Sequence, residues 1–121
     1  MNEVVKSFEK TIQRLREALA KPKDDTVRDS CIKRFELCFD LAWKSIKYYA
    51  KQQGRECNSP RACFKLAFEL KLIDDEEQWL QTINDRNEAA HIYREQIAEG
   101  VYSRLGNYVT LFELLLSKMR E

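Results

Sequence analysis

The chain has 121 residues, 21 of them lysine or arginine and 20 aspartate or glutamate, a length that suits one domain (residues 1–121) with one core. So even a balance excludes a global field drawing in nucleic acid or an anionic membrane and leaves that task to local patches. No stretch approaches the roughly 18 apolar residues of a membrane span, and Met1-Asn2-Glu3-Val4-Val5-Lys6 lacks the continuous apolar region of a signal peptide. The expectation is a cytoplasmic protein with reduced thiols.

Three glycines and two prolines, with apolar residues at 3.6-residue spacing nearly throughout, predict an all-α fold of five helices. The first, over about residues 2–20, carries Val4, Phe8, Ile12, Leu15 and Leu19 on one stripe and stops before Pro22, whose ring disfavours helix in the preceding residue. Asp25 or Thr26 then caps a long second helix, about residues 26–53, by accepting a bond from an orphan amide of its first turn. Its buried stripe is Ile32, Phe35, Phe39, Trp43, Ile46 and Tyr49, and Gly54 ends it. A second, softer stripe of Cys31, Cys38, Leu41, Ser45 and Tyr48 implies either a partner surface or burial under another helix.

Ser59-Pro60 reads as an N-cap followed by proline at the first helical position, and Cys63, Phe64, Ala67 and Leu70 form the face of helix three. Asp74 caps helix four, whose first turn places Asp75, Glu76 and Glu77 at the positive end of the macrodipole. Trp79 and Ile83 start a stripe whose next members are Arg86 and Ala90, so an arginine stands where the pattern asks for an apolar residue. The fifth helix, about residues 95–119, repeats Ile97, Val101, Leu105, Tyr108, Phe112, Leu115 and Met119. Gly100 and Gly106 within it each cost about 1 kcal/mol relative to alanine and suit close helix contact. Trp43 and Trp79 are both expected in the core.

Cys31, Cys38, Cys57 and Cys63 show no C-x-x-C spacing, and one histidine supplies at most one further ligand, so no metal site is expected. Cys31, Cys38 and Cys63 fall on apolar stripes and read as small core residues. Lys44, Lys47, Lys51, Arg55 and Arg61 form a basic run interrupted by Glu56 alone, while Asp74 to Glu77 is acidic. Both runs are also consistent with solvated helix faces.

The chemistry concentrates in Arg86-Asn87-Glu88-Ala89-Ala90-His91-Ile92-Tyr93, an R-x4-H-x-Y sequence containing the only histidine of the chain. Imidazole is the one side chain whose unperturbed charge changes near neutral pH, and guanidinium suits phosphate. On a straight helix Arg86 and Tyr93 lie on nearly one face, but Arg86 and His91 differ by about 140°. Either the helix ends near Ala90 and the chain turns, or arginine and histidine meet across a two-fold interface. Such a pair is a minimal kit for RNA cleavage through the 2′-hydroxyl. Glu36 and Asp40, one turn apart on helix two, could orient Arg86 or His91, or form surface pairs with Lys33, Lys44 or Lys47. Tyr93 is open to a packing role.

The segment Phe35-Glu36-Leu37-Cys38-Phe39-Asp40-Leu41-Ala42-Trp43-Lys44, followed after two helices by Arg86-Asn87-x-x-x-His91-x-Tyr93 and a final amphipathic helix, resembles the HEPN family (higher eukaryotes and prokaryotes nucleotide-binding). The likeness is to the nucleotidyltransferase substrate-binding, HepT-like toxin branch and spans nearly the whole chain. It implies an up-and-down bundle forming a homodimer in which the two R-x4-H motifs line a metal-independent ribonuclease cleft. Arg86 and His91 would then be catalytic, with Asn87 as the polar residue following the arginine. Tyr93 matches the tyrosine to which a partner minimal nucleotidyltransferase antitoxin adds AMP from ATP, silencing the toxin; the chain itself needs no cofactor. Two alternatives stay open: a non-catalytic subunit that binds a nucleotide or substrate for a two-component nucleotidyltransferase, and a plain helical scaffold.

Overall fold

Helix capping and apolar spacing divide the chain into five α-helices. The structure, a computed structural model, describes residues 2–121. These form α1 (Glu3–Leu19), α2 (Asp25–Gln52), α3 (Pro60–Glu69), α4 (Glu76–Glu88), a single 3-10 turn (Ala89–His91) and α5 (Glu95–Met119), an all-α up-and-down bundle with no strand among the described residues. The second helix touches every other element. Its fully buried Phe35 stacks on Tyr108 of α5 with ring centroids 5.4 Å apart, while Phe39 meets Phe64 of α3 edge-on at 5.7 Å. Phe64 packs on Trp79 of α4 at 5.0 Å and Trp79 on Phe112 of α5 at 5.7 Å. The aromatic chain closes on α1 through Phe8 and Phe112 at 6.0 Å. Each such pair contributes about 0.5–1.5 kcal/mol beyond area burial, so this lattice orients the helices as well as excluding water.

Several sequence expectations are corrected. The cap of α2 is Asp24, not Asp25 or Thr26: its extended backbone lets Oδ1 accept from Val27 N at 2.7 Å, and Asp25 is already helical. Likewise Asp75 rather than Asp74 caps α4, its carboxylate accepting from Gln78 N at 3.1 Å and from Gln78 Nε2 at 2.7 Å. Those bonds favour the charged form and hold the Asp75 carboxyl below its usual range. Trp43 is only half-buried, whereas Cys31, Cys38 and Ser45 of the softer stripe on α2 are fully buried, its Leu41 half-buried and its Tyr48 exposed. On α4 the buried residues are Trp79, Thr82 and Asp85, followed by Ala89; Arg86 is half-buried and Ala90 exposed. The helix is thus rotated by about one residue from the predicted stripe, because α3, α2 and α5 jointly enclose the Trp79 side.

The cysteines also depart from expectation. Gly54, at φ +74°, supplies a left-handed turn in which Gly54 N donates to Lys51 O and Arg55 N to Ala50 O, the closing pattern glycine favours at a helix end. The chain then doubles back so that Cys57 and Cys63 lie 5.0 Å apart at Cα and are joined in a disulfide, against the expectation of reduced thiols throughout. Cys31 and Cys38 are free and buried, and burial pushes the Cys38 thiol up to about 12, Arg34 opposing. A thiol so disfavoured as thiolate is a packing group rather than a nucleophile. Among the described residues no helix is long and apolar enough to cross a membrane.

Candidate functional site

The R-x4-H-x-Y segment lies where α4 gives way to α5. The α-helix stops at Glu88, Ala89–His91 tighten into the 3-10 turn, and Arg94 N donates to His91 O at 3.0 Å before α5 begins. The helix ends and the chain turns at this point, so the angle of about 140° for a straight helix no longer describes Arg86 and His91. Arg86 projects from α4 onto α2. Its Nη1 donates to Glu36 Oε2 at 2.7 Å, and its Nε lies 3.5 Å from Asp40 Oδ1. The Arg86 side chain is 33% exposed and that of Glu36 17%. Glu36 and Asp40 therefore meet Arg86, not Lys33, Lys44 or Lys47. The guanidinium is thus engaged by carboxylates on two sides, through a hydrogen bond on the Glu36 side.

His91, which closes the turn, and Tyr93, just beyond it, are exposed, their rings 6.0 Å apart edge-on. Tyr93 is 76% exposed, which removes the helix-packing alternative, and the Arg94 guanidinium lies 5.9 Å from its ring centroid. Asn87 is exposed and makes no side-chain bond among the described residues. Two groupings result: Arg86 with Glu36 and Asp40, and His91 with Tyr93. Within one chain, no hydrogen bond links them.

Sequence reasoning missed the group beneath Arg86. Asp85 is 3% exposed and accepts from Arg104 Nε at 2.7 Å, from Arg104 Nη2 at 2.8 Å and from the Tyr108 hydroxyl at 2.6 Å. This forked pair joins the last full turn of α4 to the middle of α5. Burial, then the bond to Asp85, push the Tyr108 hydroxyl well above the usual tyrosine range, and the Asp85 carboxylate raises Arg104. No sequence signal marked it: residues 79, 82, 85 and 89 share a helical face, but Thr82 and Asp85 on that face are polar. Arg28 was missed too. Buried on α2, it donates Nη1 to Glu95 Oε1 at 2.6 Å and Glu99 Oε1 at 2.9 Å, and Nε to Asp29 at 3.0 Å. Lys23 adds a 2.5 Å contact to Glu99. The bonds to Glu95 and Glu99 raise Arg28 above its ordinary value, and Lys23, then Arg28, lower Glu99. The cluster anchors the start of α5, two residues past Tyr93. Networks at Asp85 and Arg28 thus hold both ends of the segment that carries His91 and Tyr93.

Comparison with known proteins gives a concordant picture. The pattern described as "Nucleotidyltransferase substrate binding protein like" matches residues 3–121. A Haemophilus influenzae protein named "Probable ribonuclease HepT" is 24% identical over 102 residues, covering 80% of this chain and 70% of that protein. A crystal structure of a Thermus thermophilus protein superposes with a TM-score of 0.90 at 31% identity, covering 94% of this chain and 99% of the other. A tri-AMPylated Shewanella oneidensis HEPN toxin in complex with MNT antitoxin has the same fold, with a TM-score of 0.79 at 21% identity over 99% and 98% of the two chains.

Proposed function

Because the chain belongs to the nucleotidyltransferase substrate binding protein-like family and has the fold of a HEPN toxin, we propose that it is a HepT-like toxin, a metal-independent ribonuclease acting as a homodimer. The observation that carries this reading is Arg86, held by Glu36 and Asp40 beside a chain turn that exposes the single histidine. In the reaction, imidazole of His91 takes the proton of a ribose 2′-hydroxyl. The 2′-oxygen forms a bond to the adjacent phosphorus, and the bond from phosphorus to the 5′-oxygen breaks. The leaving oxygen receives a proton from an imidazolium, for which the His91 of a second copy is suited, and a 2′,3′-cyclic phosphate remains. Arg86 meets the charge growing on the phosphoryl oxygens, with Asn87 adding a polar contact. Acid/base help contributes about 10²–10⁴ and one placed charge donor about 10²–10³, which makes a second copy of the pair valuable.

A minimal nucleotidyltransferase, using ATP, is the proposed antitoxin. Tyr93, three-quarters exposed and 6.0 Å from the His91 ring, is its acceptor. Each AMP puts a phosphodiester charge beside His91, which repels RNA as phosphorylation repels an anion from a cleft. One observation favours the alternative of a non-catalytic substrate-presenting subunit: two carboxylates against one arginine leave the Arg86 group net negative, which disfavours phosphate. Incubation with total RNA and tRNA in chelator separates the readings. Cleavage by the wild type, absent in His91→Ala and Arg86→Ala of unchanged helicity, supports the ribonuclease. Complex formation with a nucleotidyltransferase and no cleavage at any concentration supports the subunit.

A further inference from the structure

If the Arg86 group repels phosphate on balance, affinity for a polyanion has to come from nearby. The stripe on α2 that begins at Asp40 continues at helical spacing through Lys44, Lys47 and Lys51, with half-buried Trp43 beside it. Among the described residues, the ion pairs of this half of α2 and the loop after it go from Asp40 to Arg86 and from Arg55 to Glu69, and none involves Lys44, Lys47 or Lys51. The stripe ends in a cleft of about 250 Å³ lined by Lys47, Lys51, Arg55, Glu56, Cys57 and Asn58. The cleft is built rather than incidental: the left-handed turn at Gly54 folds Arg55 back over the last turn of α2, and the bridge from Cys57 to Cys63 ties its far wall to α3. A lysine in the last turn of a helix also complements the macrodipole, but that accounts for Lys51 alone and not for Lys47, Arg55 or a cavity between them.

We propose that this cleft is a phosphate-binding subsite for single-stranded RNA, reached from Arg86 along Lys44 and Lys47. Lys51 lies about 16 Å along the helix from Asp40 at about 1.5 Å per residue, a span that a few nucleotides cover. Unpaired lysines that track a backbone, with an aromatic side chain beside them for a base, are the elements by which proteins hold single strands. The assignment rests on the ribonuclease reading and adds where the substrate strand runs.

The test uses a fluorescein-labelled, fully 2′-O-methylated RNA, which cannot be cleaved, titrated by anisotropy across a salt series with the full chain. Cleavage of unmodified RNA is measured in parallel. Lys47→Gln/Lys51→Gln is compared with Lys6→Gln/Lys10→Gln, an equally charged pair with the same spacing on α1, with thermal midpoints checked for all. The expected result for the first pair is at least about tenfold weaker binding at low salt and a salt slope reduced by about 1.4, or about 0.7 per lost phosphate contact; the α1 pair should match wild type. Trp43 fluorescence should change on RNA binding while buried Trp79 stays silent, so Trp43→Phe abolishes the signal. A wild type that cleaves RNA, with both pairs binding alike and with equal slopes, overturns the subsite but not the ribonuclease reading. A wild type that neither binds nor cleaves overturns both.

Discussion

Replacing Asp85 by alanine should unfold this protein more readily than any change at its neighbour Arg86, although Arg86 carries the proposed chemistry. The carboxylate is 3% exposed and receives three hydrogen bonds, two from Arg104 and one from Tyr108. Its removal leaves the Tyr108 hydroxyl buried without a partner, a penalty of about 1–3 kcal/mol. Arg104 is 39% exposed at its side chain and can rehydrate, so the 3–5 kcal/mol of a fully buried broken pair is not reached. The expected total is about 2 kcal/mol, which for a domain of this size lowers Tm by about 8 °C. Arg86→Ala gives up partly exposed pairs with Glu36 and Asp40 and should cost about 1 kcal/mol. Urea titrations followed by circular dichroism measure both. Tyr108→Phe, and the double variant with Asp85→Ala, complete a cycle in which the coupling should be about 1–2 kcal/mol. An Asp85→Ala protein within about 0.5 kcal/mol of wild type would refute the view that this carboxylate clamps α4 to α5.

Tyr108 also sets an alkaline limit. Its folded value is raised, so its contribution is intact below the unfolded tyrosine value near pH 10 and is lost as pH climbs toward the folded one, at up to about 1.4 kcal/mol per pH unit. Tyr108→Phe should flatten that part of the stability profile, and an equally steep profile would count against the assignment. For the second helix, Asp24→Ala should cost about 1 kcal/mol and Thr26→Ala nothing, since alanine favours helix over threonine, as thermal melts would record. In the cleavage assay, Glu36→Ala should lower kcat about tenfold by releasing Arg86 from its position, with KM within about twofold. Loss confined to KM would point to substrate binding instead.

The positions of the helices were legible because they depend on neighbours in sequence. Proline and glycine stops, caps and the 3.6-residue recurrence act over one or two turns, and the expected bounds of α1 and α5 lie within a residue of those observed. The cap errors at Asp24 and Asp75 follow from the same locality: adjacent carboxylates compete, and backbone extension at one of them decides. Arg86, His91 and Tyr93 were visible as a motif, and the carboxylates at Glu36 and Asp40 as candidates. What lay beyond the sequence was which face of α4 points inward. The apolar spacing runs through Arg86, the face through Asp85 is polar at Thr82 and Asp85, and only the angle at which α4 settles against α2, α3 and α5 makes Asp85 the buried charge and leaves Arg86 at the rim. The contact of Arg86 with Glu36, fifty residues away, and the meeting of Arg28 with Glu95 and Glu99 are consequences of that packing. Helix formation is a sum of local terms, whereas burial of a charge is decided by every surface that closes around it.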